Sequence, residues 1–171
     1  MLFNREQQAN EFFKEQAERI QPILEKENTG LSVAFFAVSS DGTITVRKPN
    51  DYVSSMIELA GGNYSLNGYL PEEDSALSTM KMQMEDFYVA EKDADILIYN
   101  GTIEGELTSV DELIAKNSLF ADFKAVKSRQ VYTTGSNFYQ QTSMTCDFIE
   151  DLNKVLIGSD DTDYHFLKHI Q

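Results

Sequence analysis

Apolar residues in the first part of the chain repeat at steps of three and four, which is the period of an amphipathic helix. The repeating positions are Ala9, Phe13, Ala17, Ile20 and Leu24. They predict a long helix over residues 4–26, with Asn4 as its N-cap and the apolar stripe facing the rest of the protein. Pro22 lies inside this pattern, and we expect it to kink the helix or restart it.

A second pattern follows, in which apolar residues run almost without interruption over residues 31–38. Such a run is typical of a strand that is covered on both faces, as in a parallel sheet between helices. Asp41 and Gly42 predict a tight two-residue turn, after which the alternating residues 43–47 form the returning strand of a hairpin. A helix capped by Asn50 and ended by Gly61 comes next.

The remainder of the chain alternates between helical and strand patterns. Residues 63–81 read as an irregular connection with room for a short strand around Tyr64. Ser109 and Glu112 have the spacing of a capping box at the start of a helix. The predicted elements are a helix from about residue 84, a strand at 96–99, the helix capped by Ser109, a strand at 130–134 and a helix at 142–157, before a tail that packs Phe166, Leu167 and Ile170.

This order of elements predicts a single α/β domain, a three-layer sandwich with a mostly parallel central sheet behind a long N-terminal helix. In such sheets, ligands bind beyond the carboxyl ends of the strands. Those ends are followed by polar, turn-forming residues at 39–41, 50–54, 100–102 and 135–139. We therefore expect one edge of the sheet to form the binding surface.

Composition narrows the possible functions. The 171 residues are 42% hydrophobic and 25% charged, as in a soluble globular protein, and the net charge of −14 would repel a phosphate backbone. We therefore expect no nucleic-acid binding. No apolar run reaches the roughly 18 residues of a membrane helix, and we expect no signal peptide in this chain. The single cysteine, Cys146, is interpreted as a buried, unreactive thiol.

No residue pattern predicts catalysis or a resident metal. The chain has no phosphate-binding loop, no G-x-S-x-G motif and no plausible cysteine–histidine pair, so we do not expect an enzyme. His165 and His169 are four residues apart and could share a helical face, but two histidines without a third ligand favour a surface pair. Asp160, Asp161 and Asp163 lack the glycine and glutamate of a calcium loop and indicate a solvated acidic turn.

Some residues support two interpretations. Glu85 is either a first-turn carboxylate that merely complements the helix dipole or an exposed carboxylate presented to arginines of a partner, and the spacing alone favours the first. Arg47 and several aromatic residues near strand ends are similarly ambiguous, since they could belong to the core or line a site for a flat ligand. The aromatic residues are Tyr52, Tyr99, Phe138 and Tyr139.

Three segments together resemble a known family. Residues 85–100, with Glu85 and the later Asp-Ala-Asp-Ile-Leu-Ile-Tyr-Asn run, resemble the "E-x-hydrophobic … D-A-D-hydrophobic" signature of substrate-binding proteins of iron-complex ABC importers. Residues 119–132 are similar to the family's "L-A-V-K-N-G-x-V-Y" stretch, and residues 51–62 to its helix ending in "L-G-G". Met82-Gln83-Met84 replace the usual serine-type cap before the glutamate, and Ser128-Arg129 replace Asn-Gly.

The resemblance implies a receptor for ferric siderophores, haem or cobalamin, built from two α/β lobes joined by a long helix, with no intrinsic cofactor. The chain resembles that linking helix, residues 1–28, followed by the C-terminal lobe, residues 29–171. The family's partners are a permease and its ATPase, and the motif places a permease-docking role on Glu85. The parent protein is expected outside the cytoplasm, in the periplasm or anchored as a lipoprotein.

Position along the predicted edge selects the candidate ligand residues, which are Arg47, Tyr52, Asn100, Asn137 and Tyr139. Two alternatives stay open. One is a flavodoxin-like enzyme or regulatory domain that uses the same edge, although a phosphate-binding glycine loop is missing. The other is a scaffold fragment without ligand, which self-associates as a homodimer through an exposed apolar patch.

Overall fold

Seven strands and six helices form the framework of the protein, seen in a computed structural model that describes residues 5–69, 77–138 and 141–171 (Thr142 without its side chain). The strands are β1 Ser32–Val38, β2 Ile44–Arg47, β3 Asn63–Tyr64, β4 Thr79–Met82, β5 Ile96–Asn100, β6 Val131–Thr134 and β7 Leu167–His169. The helices are α1 Glu6–Leu24, α2 Tyr52–Leu59, α3 Met84–Glu91, α4 Val110–Lys116, α5 Lys124–Lys127 and α6 Thr145–Leu156, with short 3₁₀ turns at Ser118–Asp122, Ser136–Phe138 and Thr142–Met144.

The strands form one sheet in the order β4-β2-β1-β5-β6-β7, and β3 pairs with the beginning of β1. The strands β3, β1, β5 and β6 are parallel, whereas β2 runs antiparallel to both of its neighbours and β7 runs antiparallel to β6. This confirms the predicted α/β fold with a mostly parallel sheet behind a long N-terminal helix. Helix-covered parallel strands are buried on both faces, as the apolar run of β1 indicated.

Two neighbouring phenylalanines of β1 show how the helices cover both faces of the sheet, because successive strand residues point to opposite sides. Phe36 packs against Phe87 of α3 and Phe120 of the 3₁₀ turn, with ring centroids 4.9 and 5.4 Å away. Phe35 packs on the other face against Phe148 of α6, at 6.4 Å. With α1 and α2 also packed against α6, the fold has three layers.

Local signals predicted some helix ends correctly and one wrongly. Ser109 accepts a hydrogen bond from the Glu112 amide at 3.3 Å, and Gly61 ends α2 with a φ of 92°, as expected. The N-cap of α2 is Asp51 rather than Asn50. Asp51 accepts from the Val53 amide at 2.9 Å, whereas Asn50 has a φ of 62° and shapes the turn before the helix. The predicted cap Asn4 lies outside the described residues.

The hairpin between β1 and β2 is longer than predicted. The Ser39 amide donates to the Thr43 carbonyl at 3.0 Å, so three residues, 40–42, form the loop. The Asp41 carboxylate accepts from the Thr43 amide, and Gly42 adopts a φ of 84° that favours glycine. The Asp-Gly pair therefore correctly predicted a hairpin turn, but the loop is one residue longer than the two residues expected.

The two outer strands were not predicted. β4 lies in the segment interpreted as irregular and pairs with β2 from Thr79 to Met82. β7 lies in the tail, where the Asp151 carboxylate of α6 accepts hydrogen bonds from the amides of His165, Phe166 and Leu167 at 3.1, 2.7 and 3.2 Å. The packing of Phe166, Leu167 and Ile170 was predicted and is confirmed, since all three are buried.

The first half of α1 does not pack as its apolar stripe predicted. Phe13 is 75% exposed, and Ile23 is the buried residue of this helix. Its carboxyl-terminal half contacts α6, where Arg19 bonds to Asp147 and Glu150. Pro22 lies within α1, which continues to Leu24 without a restart. No helix in the described ranges has the length and apolarity needed to cross a membrane.

Candidate ligand cleft

The carboxyl ends of β1, β5 and β6 meet at one edge of the sheet, and a cleft of about 480 Å³ opens beside them. Its floor is formed by Ala37 of β1, Thr45 of β2 and Thr79 of β4. Ala37 lies two residues beyond Phe35, so this floor is on the face that α6 covers. The walls are formed by Arg47, Tyr52, Asn100, Thr102, Ile103, Glu104 and Phe138.

Arg47 is the cation of this cleft, and its neighbours fix its position. One terminal nitrogen donates to the Tyr52 hydroxyl at 3.0 Å, and the guanidinium carbon lies 4.9 Å from the centre of that ring. The other donates to the Ser78 hydroxyl at 3.3 Å, and Nε lies 3.8 Å from the Asp51 carboxylate. Because Asp51 also caps α2, the start of this helix and the arginine are held together.

The backbone of Arg47 is anchored separately. The Tyr64 hydroxyl donates to the Arg47 carbonyl at 2.6 Å. Burial raises the pKa of Tyr64 well above its ordinary value, so this hydroxyl keeps its proton and remains a donor. Tyr52, in contrast, is 56% exposed and presents an aromatic face at the mouth of the cleft. Together they place a partly covered cation beside an accessible ring.

Asn100 shapes the turn at the end of β5. Its side-chain oxygen accepts from the Thr102 amide at 3.3 Å and from the Thr102 hydroxyl at 2.8 Å. The next residue, Gly101, donates its amide to the Thr134 hydroxyl of β6 at 3.1 Å. The amide oxygen of Asn100 therefore holds the loop that carries Ile103 and Glu104 into the cleft wall.

Three of the five predicted ligand residues, Arg47, Tyr52 and Asn100, meet in this cleft. Asn137 is not among its lining residues and instead donates to the His165 carbonyl at 2.9 Å. Tyr139 lies outside the described residues. Phe138, whose interpretation was open, belongs both to the core and to the cleft wall, since it packs against Phe148 at 4.5 Å.

Sequence reasoning missed other parts of the cleft. Thr79 could not be identified, because its strand was not recognised. Ile103 did carry a signal, since an aliphatic residue directly after a polar strand-end turn has no local reason to be there. It is 81% exposed.

Glu85 is exposed in the first turn of α3, beside the exposed Asp86. The strand before it, β4, ends at Met82, which pairs with Ile44, and Ile44 pairs with Val38 at the carboxyl end of β1. The start of α3 therefore lies at the same edge of the sheet as the cleft.

The histidines and the cysteine lie outside the residues that line the cleft. His169 lies in β7, not on a helix, and its Nε2 is 2.7 Å from the Arg129 carbonyl, whereas His165 packs against Phe166. The Cys146 sulfur lies 3.4 Å from the Gln16 carbonyl, and burial raises the pKa of its thiol. Across the part of the chain that the structure describes, no three His, Cys, Asp or Glu residues are grouped to hold a metal ion.

Comparisons with known proteins give a family match and structural relatives. The sequence model of a family described as "Periplasmic binding protein" matches residues 2–138. No match is found among curated proteins.

An Fe3+-hydroxamate ABC transport protein from Saccharomonospora viridis superposes with a TM-score of 0.72 at 17% identity, over 90% of this chain and 51% of its own. A TroA-like periplasmic binding protein, FepB, from Veillonella parvula superposes with a TM-score of 0.68 at 15% identity, over 98% of this chain and 57% of its own. The periplasmic haem-binding protein HutB of Vibrio cholerae superposes with a TM-score of 0.67 at 13% identity, over 89% of this chain and 56% of its own. The chain thus spans little more than half the length of these relatives and has the fold of one lobe.

Proposed function

Because the chain belongs to the periplasmic binding protein family, we propose that it is the C-terminal lobe of the substrate-binding component of an ABC importer for iron complexes. Its function is then binding without catalysis. The structural relatives named for Fe3+-hydroxamate and haem support this ligand class, which includes ferric siderophores, haem and the related cobalamin. In this proposal residues 1–28 are the linking helix and residues 29–171 the lobe.

The cleft at the carboxyl-end edge is the observation that carries the proposal. Arg47 has its guanidinium held by Asp51 and Tyr52, which suits it to donate to oxygen atoms of a chelate without losing much side-chain freedom. Tyr52, Ile103 and Phe138 supply aromatic and aliphatic surface for the organic part of such a ligand. Asn100 and Asn137 remain proposed ligand residues, as does Tyr139, which follows β6 in the sequence.

Glu85 is proposed to dock the lobe onto the importer. An exposed carboxylate at a helix start is accessible to an arginine of a permease, and its edge of the sheet is the one that holds the cleft. The proposed partners are the permease and, through it, the ATPase. The place of action is outside the cytoplasm, as in the family.

A thermal-shift panel of haem, a ferric hydroxamate, a ferric catecholate and cobalamin tests the ligand class. A compound at a hundred times its dissociation constant should stabilise the chain by roughly 2.7 kcal/mol. We expect Arg47→Gln to weaken binding of the active compound about tenfold, the equivalent of roughly 1.4 kcal/mol. The matched control is Lys127→Gln, which removes an exposed lysine paired with Asp122 outside the cleft and should leave affinity unchanged.

Two results would contradict parts of this proposal. If Arg47→Gln and Lys127→Gln bind the active compound equally well, Arg47 is not a ligand residue. If none of the four compounds shifts the melting temperature and the mass in solution doubles with concentration, the self-associating scaffold is the better description. Exposed Phe12 and Phe13 on α1 are the surface that a homodimer would then use.

A further inference from the structure

The last residue of α3 is a buried acid. Glu91 is fully buried, at the opposite end of the helix from Glu85, and neither of its carboxyl oxygens has a hydrogen-bond partner. Among described side chains the only other buried polar atom in this condition is the Tyr99 hydroxyl. Buried carboxylates without partners are rare in folded proteins because removing the charge from water is costly. The binding cleft does not involve Glu91.

The groups around Glu91 do not compensate a negative charge. Ser65 is a hydroxyl donor close to Glu91, but its hydroxyl donates to the Val33 carbonyl at 2.9 Å. Tyr64 is the titratable group that faces Glu91 from β3, and its own hydroxyl donates to Arg47.

Within the described ranges, no cation is hydrogen-bonded to Glu91 from the other elements around α3. Arg47 and Asp51 interact electrostatically with Tyr64. On its remaining sides α3 packs through Phe87 and Tyr88 against Phe36, Phe120 and Phe123, which are not titratable. The adjacent Lys92 is exposed and lies over the Tyr88 ring at 5.8 Å.

We infer that Glu91 is a pH-dependent switch for the last turn of α3. When its carboxyl group is protonated, this turn packs on the sheet; when the group ionises, the turn opens to water. This device goes beyond the proposed function and needs no ligand. It acts on the helix that follows β4 directly and begins at the cleft edge, so opening would be transmitted along one continuous segment of chain.

The direction of the pH effect follows from the site. Burial raises the pKa of Glu91 from its ordinary value to about 7. The closed turn therefore binds a proton more tightly than the open turn. The closed turn is most stable at a pH below the ordinary pKa of a glutamate, and it loses stability as the pH rises toward 7. Above pH 7 its stability changes no further.

Hydrogen exchange measured by mass spectrometry on the unliganded chain at pH 5.5, 7 and 8.5 tests this inference. After correction for the intrinsic exchange rate, the opening equilibrium of the segment 88–92 should increase about 30-fold from pH 5.5 to 8.5. Glu91→Gln, which cannot ionise, should abolish this increase. Asp86→Asn, an exposed acid on the same helix, should retain it and serves as the matched control.

A second variant and a direct titration keep the test decisive. Glu91→Met removes all polar atoms at a similar volume and should also give pH-independent exchange, even if Glu91→Gln fails to fold. The carboxyl carbon of Glu91, assigned in NMR spectra by its absence in a variant, should titrate near pH 7. The inference is overturned if this carbon titrates at an ordinary glutamate pKa, or if the wild-type chain and the variants share one pH dependence.

Discussion

At the scale of single residues, the helix cap predicted from local rules can differ by one position from the cap in the structure. Asn50 and Asp51 are both good capping residues, and the sequence offers no reason to prefer the second. The structure decides, because Asp51 has an extended backbone and also reaches Arg47, whereas Asn50 occupies the left-handed region at φ 62°. Glu85, in contrast, was placed correctly in the first turn of α3, and its role stays a prediction.

Glu85→Ala should reduce uptake of the ligand by the assembled importer about tenfold, the effect of losing roughly 1.4 kcal/mol of docking energy. Affinity of the binding protein for the ligand should not change, because Glu85 is not a lining residue of the cleft. Uptake in cells and ligand titration of the purified protein measure the two quantities.

A first-turn carboxylate on another helix provides the control for this prediction. Asp111 is exposed in the first turn of α4 and resembles Glu85 in its relation to a helix dipole. Asp111→Ala should leave uptake unaltered. Weaker ligand binding by Glu85→Ala would instead assign the residue to ligand recognition and would refute the docking role.

At the scale of elements, the buried strands were predictable and the edge strands were not. β1 and β5 are long apolar runs, whereas β4 has the sequence Thr-Met-Lys-Met and β7 has three residues. A short strand at the side of a sheet is defined by the neighbour it pairs with, so its own residues carry a weak signal. The turn after β5 is an element of the same kind, since its shape depends on contact with β6.

Gly101→Ala should destabilise the protein by about 1–3 kcal/mol, in the range of overpacking mutations. A Cβ at this position would overlap the Thr134 carbonyl oxygen and approach Glu106 Cα to 2.7 Å, and both are backbone atoms that cannot rotate away. The loop carrying Ile103 into the cleft would shift, so ligand affinity should fall as well. Urea unfolding and a ligand titration measure these effects.

Gly68 offers the comparison for this variant. It lies in a turn, no atom of the described residues comes within 4 Å of an added Cβ, and its φ is not positive. Gly68→Ala should therefore change the free energy of unfolding by less than about 0.5 kcal/mol. Equal stabilities of the two alanine variants would show that the close approach of Gly101 to β6 is not tight in solution.

At the scale of the whole molecule, α1 is only partly packed against the rest of the fold. Only its carboxyl-terminal half reaches α6, where the Arg19 guanidinium lies 2.9 Å from Asp147 and 2.7 Å from Glu150. The amino-terminal half leaves Phe12 46% and Phe13 75% exposed. The apolar stripe was identified correctly as a pattern, but within it Ile20 packs against the core whereas Phe13 does not.

Arg19→Met should lower the free energy of unfolding by about 1 kcal/mol, because it removes the ion pairs of Arg19 with Asp147 and Glu150. The effect is modest because these pairs are partly exposed and are screened by solvent. The loss should shrink in 0.5 M salt. Lys14→Met is the matched control, since the Lys14–Glu18 pair at 3.6 Å is well exposed and lies within α1. An equal loss for both variants, or a loss that salt does not change, would contradict an electrostatic link between α1 and α6.

The sequence by itself determined the α/β class, the central strands, some helix ends and three of the residues that meet in the cleft. These follow from periodicity, from short-range capping rules and from the fact that parallel strands share one carboxyl edge. Tertiary structure alone decided the edge strands, the hydrogen bond from the Tyr64 hydroxyl to the Arg47 carbonyl, and the burial of Glu91. Each of those depends on residues far apart in the chain or on which face a helix buries, and no local pattern encodes such contacts.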